Sequence, residues 1–335
     1  MNVGDLPTPA LLVDARALER NLATMAAARP GDALRPHVKA HKCTAIAAAQ
    51  LRHGHRHFTC ATTREMVGLA QAGIGDDLLL ANETVDRGRL AGIAGWQDRV
   101  RMTVAVDSAA TIDAAATAGV RDVLIDVAVG LPRCGCPPED AGRLADGARA
   151  EGLRVRGVMG YEGHLMMVAD RTEKAARVAE AVGLLRAAHA DVGGEIVSAG
   201  GTGTYDLHHE ATEVQAGTYA LMDTDYAKLG QPFELAVSVL GTVISVSRRW
   251  AVLDVGLKAL ALDHGNPDVD GGAVWFCSDE HLTYAPADGQ RWPVVGERVR
   301  VWPAHLDPTM AKHELLRVVE DDHVVDTWAI DLAGW

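Results

Sequence analysis

Short apolar runs alternate with alanine-rich stretches over the first two thirds of the chain. The apolar runs predict buried strands, and the stretches between them, such as Arg16–Ala28 and Thr172–Ala190, consist of good helix formers. Alternating strands and helices predict a parallel sheet covered by helices. The predicted strands are Leu34–Lys39, His57–Ala61, Leu78–Ala81, Met102–Asp107, Val123–Val129, Val155–Gly160, Glu195–Ala199 and Ala211–Gln215. Eight strands of this type predict a (β/α)8 TIM-like barrel.

The pattern changes after residue 235, where strands follow one another with few helical segments between them. Turn residues such as Arg248-Arg249 and Asp321-Asp322 separate these strands, which predicts an antiparallel β domain. The predicted strands are Val237–Ser247, Ala251–Leu257, Glu297–Pro303, Leu315–Val319 and Val324–Ile330, with Ala10–Asp14 as an added strand. We therefore expect an α/β protein with a barrel over residues 15–230 and a β domain formed by residues 1–14 and 231–335.

Composition narrows the class of function. The 335-residue chain is 48% hydrophobic and carries a net charge of −13, which argues against a nucleic-acid or anionic-membrane surface. No apolar run approaches the roughly 18 residues of a membrane span, and the first residues lack the pattern of a signal peptide. The five cysteines are an odd number, so we expect reduced thiols and a cytoplasmic protein.

A lysine follows the first predicted barrel strand, at the edge where barrels carry their functional residues. Lys39 has three titratable or cationic neighbours, His37, His41 and Lys42. A lysine that forms a Schiff base must be partly neutral, and both desolvation and nearby positive charge lower the pKa of an amine. The segment therefore predicts either a reactive lysine or a solvated basic turn.

The fifth and sixth predicted strands lead into side chains suited to a planar ligand. Arg133 follows the fifth strand, and Tyr161 and His164 follow the sixth. The tyrosine and histidine rings can stack on a flat ligand or form hydrogen bonds with it. Each of these residues also occurs as a structural residue at the rim of a barrel.

Glycine clusters follow the last two predicted barrel strands. They are Ser198-Ala199-Gly200-Gly201-Thr202-Gly203-Thr204 and Gln215-Ala216-Gly217-Thr218-Tyr219. Glycines let backbone N–H groups approach a phosphate closely, and phosphate sites of barrels recur in these two loops. A glycine cluster after each of the last two barrel strands favours a phosphate-binding site over glycines that serve only in turns. No glycine fingerprint of a dinucleotide fold follows the first strand.

A histidine and an aspartate stand two residues apart in the predicted β domain. On an extended segment the side chains of His305 and Asp307 would point the same way. An imidazole and a carboxylate suit Mn²⁺, Mg²⁺, Co²⁺ or Zn²⁺, and two protein ligands leave room for water and substrate. The other interpretation is an ordinary polar end of a strand.

Taken together, these segments resemble the D-threonine aldolase and D-serine dehydratase family of fold-type III pyridoxal phosphate (PLP) enzymes. The resemblance spans nearly the whole chain, and the segment Arg35–Lys42 is its most specific single motif. The matching segments are Thr8–Asp14, Arg35–Lys42, Val129–Arg133, Tyr161–His164, Ser198–Gly200, Val252–Ala259, Ser278–His281 and the His305/Asp307 pair.

This resemblance implies an alanine-racemase-like barrel with a β domain, and Lys39 as the residue that forms the internal aldimine. Arg133 would face the pyridine nitrogen of PLP, and Tyr161 would lie near its ring. Further cofactor-binding residues, most of them at the phosphate, would be Ser198, Gly201, Thr202, Gly217, Thr218 and Tyr219. His305 and Asp307 would hold the divalent metal, and the subunits would form a homodimer.

The second metal ligand separates two reactions within the family. Dehydratases typically carry His-x-Cys, whereas Asp307 is typical of the aldolases and favours Mn²⁺ or Mg²⁺ over Co²⁺ or Zn²⁺. We therefore expect retro-aldol cleavage of a D-β-hydroxy-α-amino acid, with His164 or a metal-bound hydroxide as the base. The Tyr161-Glu162-Gly163-His164 form is similar to that of 3-hydroxy-D-aspartate aldolases. The alternatives are a dehydratase that releases ammonia and a non-catalytic PLP-binding protein.

Overall fold

Seven of the eight apolar runs predicted in the first two thirds form parallel strands in the computed structural model, which describes residues 1–335. The strands of the whole chain are β1 (Ala10–Asp14), β2 (His57–Cys60), β3 (Asp77–Leu80), β4 (Arg101–Val106), β5 (Asp122–Asp126), β6 (Arg154–Gly160), β7 (Ile196–Ala199), β8 (Glu213–Val214), β9 (Val237–Val246), β10 (Ala251–Leu253), β11 (Asp268–Val269), β12 (Gly272–Cys277), β13 (Leu282–Pro286), β14 (Arg298–Trp302), β15 (Leu315–Glu320) and β16 (His323–Ala329). The helices are α1 (Ala15–Ala28), α2 (Thr44–Arg52), α3 (Thr63–Gln71), α4 (Arg87–Ala94), α5 (Ala109–Thr117), α6 (Ala141–Ala150), α7 (Arg171–Val192), α8 (Thr224–Ala227) and α9 (Leu306–Met310). None of the helices combines the length and the apolar character needed to cross a bilayer.

The chain divides into two units. The β unit comprises Met1–Thr24, Ala40–Ala45 and Thr218–Ala333. The barrel unit comprises Met25–Lys39, Ile46–Gly217 and Gly334–Trp335. The domain boundaries expected from the sequence, after residues 14 and 230, stay a prediction.

The parallel sheet of the barrel unit runs in the order β2 to β8, and a short segment closes it into a ring. Leu34 bridges Val214 at one end of the sheet, and His37 bridges Thr59 at the other. The predicted barrel is therefore confirmed. The first predicted strand is reduced to these two isolated bridges, because Pro36 has no backbone N–H to donate and residues Val38–Ala40 form a 3₁₀ turn instead.

Charged side chains fill one level of the barrel interior. The Arg35 guanidinium lies 2.7 Å from Glu213 and 3.1 Å from Asp77, and Arg156 on β6 reaches Asp77 on β3 at 2.7 Å. Since β4 and β5 separate β3 from β6, the contact between Arg156 and Asp77 must cross the ring. An apolar level lies beside this polar one and consists of Leu79, Ala105, Leu124, Met159 and Ile196. The interior is thus a packed core, as in other barrels.

The β unit is built on one sheet of mainly antiparallel strands. Six of them close on themselves in the order β10-β13-β12-β11-β14-β9, because β9 also pairs with β10. Strands β1, β15 and β16 extend the sheet from β9, and β1 pairs with β15 in parallel. The predicted antiparallel domain and its added first strand are confirmed. Three of its strands, β11, β12 and β13, were not predicted.

Candidate active site

Lys39 lies in the barrel unit, at the end of the segment that closes the ring. The 3₁₀ turn Val38–Ala40 carries it, and its side chain is half-buried. Its backbone N–H donates to Nδ1 of His37 at 3.4 Å, and the N–H of His37 donates to the carbonyl of Ala216 at 3.0 Å. The lysine segment is therefore next to the residue that precedes Gly217, one of the predicted phosphate-binding glycines.

Three of the predicted cofactor residues meet around one aromatic ring. The Arg133 guanidinium carbon lies 5.3 Å from the centre of the Tyr161 ring. A methyl group added to Gly201 would lie 3.4 Å from Cε2 of the same ring, so the backbone of the third residue passes close to it. A cation, an aromatic face and a glycine loop at one place suit a planar anionic ligand.

His164 lies against the loop that leads to Arg133. It is exposed on the 3₁₀ turn Gly163–Leu165, and its ring touches Gly130, where an added methyl group would lie 2.9 Å from Cε1. Gly130 has a φ of +119°, which other residues rarely adopt. Position 130 therefore requires glycine for two reasons. The turn after β5 needs a positive φ there, and the His164 ring occupies the space that a side chain would fill.

The loop after β7 approaches the loop after β6 backbone to backbone. A methyl group on Gly203 would lie 2.5 Å from the carbonyl oxygen of Met166, so only glycine fits there. The buried Glu162 carboxylate accepts a hydrogen bond from Oγ1 of Thr204 at 2.7 Å and pairs with Nε2 of His208 at 2.7 Å. Burial alone would raise the pKa of Glu162, but His208 and Thr204 lower it below its usual range. This hydrogen-bonded group holds the predicted phosphate loop in shape.

The remaining predicted cofactor residues are buried. In the barrel unit, Oγ of Ser198 accepts a hydrogen bond from Nε2 of Gln215 at 2.8 Å, and Thr202 is buried in the loop after β7. In the β unit, Thr218 and Tyr219 belong to a 3₁₀ turn, and the Tyr219 ring packs on Phe233 at 5.7 Å. Their roles toward a cofactor stay predictions.

A group of carboxylates near Arg133 was not predicted. Asp126 is buried at the end of β5, and burial together with the negative charge of Glu83 raises its pKa well above the usual range, against the opposing effect of Arg133. Potential ligand atoms of Glu83, Asp107 and Cys134 lie within 4.8 Å of one another. A hydrogen bond to Glu83 and burial raise the pKa of the Cys134 thiol to about 12, so it is protonated at neutral pH. The only signal in the sequence was a carboxylate at or just past the end of each of three barrel strands.

A second group of nitrogen and oxygen donors surrounds His305 in the β unit. Ligand atoms of Asp263, His264 and His305 lie within 4.8 Å of one another. Nδ1 of His305 is 2.6 Å from Oδ2 of Asp263, and the rings of His264 and His305 stack with their centres 3.9 Å apart. The donor set of two imidazoles and one carboxylate fits a divalent cation. The sequence reasoning missed Asp263 and His264.

Asp307 does not lie on an extended segment, and that expectation is wrong. His305 is the residue before α9, and Asp307 stands in the first helical turn, half-buried. Pro308 favours this outcome, because proline is readily accommodated in the first turn of a helix. The segment is fixed by Asp223, which accepts the N–H of Leu306 at 2.9 Å. Whether His305 and Asp307 bind a metal together stays a prediction.

Comparison with known proteins places the whole chain in one family. Residues 13–225 match the model of the alanine racemase N-terminal domain, and residues 236–319 match that of a putative serine dehydratase domain. The chain is 35% identical to a D-threonine aldolase of an Arthrobacter species, over 98% of this chain and 93% of the relative. It is 30% identical to a 3-hydroxy-D-aspartate aldolase of Paracoccus denitrificans, over 100% and 94%.

A solved structure shows the same similarity in three dimensions. The D-threonine aldolase from Filomicrobium marinum matches with a TM-score of 0.91 and 35% sequence identity. The match covers 98% of this chain and 96% of that one. The match therefore covers both the barrel unit and the β unit.

Proposed function

The chain belongs to the D-threonine aldolase and D-serine dehydratase family, and on that premise we propose that it is a PLP-dependent carbon–carbon lyase. It cleaves a D-β-hydroxy-α-amino acid of the D-threonine or 3-hydroxy-D-aspartate type into glycine and an aldehyde or 2-oxo acid. The observation that carries the proposal is the aspartate at position 307, in a chain that is similar to D-threonine aldolases over both of its units. A carboxylate at this place distinguishes the expected aldolase from a dehydratase.

The barrel unit supplies the residues for PLP. Lys39 is the proposed attachment point, and its side-chain amine would be released when the substrate amine takes its place. A guanidinium group only donates hydrogen bonds, so Arg133 would donate one to the pyridine nitrogen. Tyr161 would support the ring, while Ser198, Gly201, Thr202, Gly217, Thr218 and Tyr219 would complete the cofactor and phosphate contacts. Bound PLP supplies an electron sink for breaking the Cα–Cβ bond.

The β unit supplies the proposed metal site. His305 and Asp307 would bind Mn²⁺ or Mg²⁺, which suit a site with a carboxylate ligand, and Asp223 keeps their segment in place. A divalent cation, when bound, lowers the pKa of a hydroxyl group. His164 is the proposed acceptor of the β-hydroxyl proton at a ring nitrogen. When the Cα–Cβ bond breaks, the hydroxyl carbon becomes the carbonyl carbon of the leaving aldehyde or 2-oxo acid, and Cα takes up a proton and becomes the methylene carbon of glycine.

Two further properties belong to the same proposal. We expect a homodimer, on the basis of the family resemblance, and a cytoplasmic enzyme, on the basis of composition. A gel-filtration mass near twice the 35.5 kDa of one chain supports the first expectation, and a monomer contradicts it.

The metal step is tested by removing the cation and by changing its proposed ligand. Chelation and the Asp307→Ala substitution should each lower aldolase activity by about 100-fold or more, because a Lewis acid contributes several kcal/mol to such a reaction. Asp288→Ala is the matched control, since it removes one exposed carboxylate of the β unit, in the turn after β13. Activity that survives both chelation and Asp307→Ala contradicts the proposed mechanism.

A further inference from the structure

The hydrogen bond between His305 and Asp263 fixes which nitrogen of the imidazole carries the proton. Nδ1 of His305 lies 2.6 Å from Oδ2 of Asp263. A carboxylate only accepts hydrogen bonds, so Nδ1 is the donor. In the neutral imidazole the other nitrogen, Nε2, then keeps its lone pair and is available to bind a metal ion.

We propose that Asp263 is a positioning residue that holds His305 in the tautomer and orientation in which Nε2 binds the divalent cation. This inference rests on the proposed function, in which His305 is a metal ligand. Metal-binding histidines commonly donate their second ring N–H to a carboxylate, which orients the ring and makes the ligating nitrogen more basic. Asp263 offers this contact from a loop 42 residues away in the sequence.

A second contact restrains the same ring from its face. The imidazole of His264 stacks on that of His305, with 9° between the two planes. Nδ1 of His264 is in turn 3.1 Å from Oδ2 of Asp225, a residue that also accepts a hydrogen bond from Lys228 at 2.6 Å. The stack fixes the plane of His305, and Asp263 fixes its rotation within that plane.

Direct ligation by Asp263 is the competing arrangement, because its carboxylate belongs to the same group of donors within 4.8 Å. Asparagine separates the two roles. The Asp263→Asn side chain keeps an oxygen that accepts the N–H of His305, but its uncharged amide is a poor substitute for a carboxylate ligand. Asp263→Ala removes both functions. A positioning role therefore predicts that the two variants differ, whereas direct ligation predicts that they fail alike.

The test is a titration of the PLP-loaded, full-length protein with Mn²⁺ alone. Binding is measured by calorimetry or from the electron paramagnetic resonance signal of free Mn²⁺. The Kd of Asp263→Ala should rise about 10- to 100-fold, as is typical when the outer partner of a ligating histidine is lost. Asp263→Asn should stay within about threefold of the wild type, since the acceptor is kept. Asp288→Ala, the matched loss of an exposed carboxylate, should leave the Kd unchanged.

Two results overturn the inference while the proposed metal site stands. One is an Asp263→Ala protein that binds Mn²⁺ as tightly as the wild type, and the other is an Asp263→Asn protein as weak as Asp263→Ala. Two other results contradict the proposed metal site itself, and this inference with it. One is a wild-type protein that does not bind Mn²⁺, and the other is a His305→Ala protein that binds Mn²⁺ as tightly as the wild type.

Discussion

Replacing the buried arginine of the barrel interior should destabilise the protein strongly. Arg35 is fully buried and donates to the Glu213 carboxylate at 2.7 Å and to the Asp77 carboxylate at 3.1 Å. Burial alone would lower its pKa, but the two carboxylates raise it above its ordinary value. In an Arg35→Met protein, Asp77 keeps its contact with Arg156, whereas the buried Glu213 loses its cation.

The magnitude follows from the cost of leaving a buried charge without its partner. Breaking such a pair by removing one member costs about 3–5 kcal/mol. With an unfolding entropy of about 2.1 cal/mol/K per residue, a chain of 335 residues should lose about 4–7 °C in Tm. The double variant Arg35→Met with Glu213→Gln removes the stranded charge as well, and it should recover about 1–3 kcal/mol.

Calorimetric or circular-dichroism melts at neutral pH measure these differences. Arg20→Met is the matched control, because Arg20 pairs with Glu234 at 2.6 Å while both side chains are about half exposed. An exposed pair of this kind contributes little to stability, because solvent screens it. If Arg35→Met loses no more stability than Arg20→Met, or if the double variant is no better than the single one, the reasoning from burial is refuted.

Three further predictions concern the cofactor, the phosphate loop and pH. Lys39→Ala should lose the visible absorbance of lysine-bound PLP, and a variant that keeps this absorbance contradicts the role of Lys39. The Gly203→Ala protein should bind PLP at least about 10-fold more weakly, because the added methyl group would lie 2.5 Å from the Met166 carbonyl oxygen and force the loop to move. The measurement is the Kd for PLP. Its control is Gly147→Ala, because nothing lies within 4 Å of a methyl group added there. The pKa values of Asp77 and Glu162 are lowered in the folded protein, so the unfolded chain binds more protons and stability should fall as the pH drops below their ordinary values of about 4. Thermal melts between pH 6 and pH 3 should show a smaller loss for Glu162→Gln than for the wild type, and an equal loss refutes the assignment.

The barrel was predictable because its strands are buried on both faces and read as continuous apolar runs. The missed strands of the β unit give weaker signals. Strand β11 has only two residues, and the register of β12 shifts between Val274 and Phe276. Such a bulge breaks the alternation of buried and exposed positions on which strand prediction depends.

Some residues of the candidate site could be predicted from the sequence, and others could not. Lys39, Arg133 and Tyr161 could be picked out because a barrel brings the ends of its strands to one edge. Asp263 could not be picked out, because it lies in a loop. No spacing pattern predicts a hydrogen bond to a residue 42 positions later. The helical start at Leu306 was missed as well, because the preceding strand made an extended continuation the simpler expectation.

The central claim is that the protein breaks a carbon–carbon bond. The most direct measurement incubates the PLP-loaded enzyme and Mn²⁺ with D-threonine, D-phenylserine and 3-hydroxy-D-aspartate, and quantifies glycine and ammonia separately. The account predicts glycine and the matching aldehyde or 2-oxo acid in equal amounts, without ammonia. Ammonia with a 2-oxo acid and no glycine would mean dehydration, and would contradict the assignment of an aldolase from Asp307.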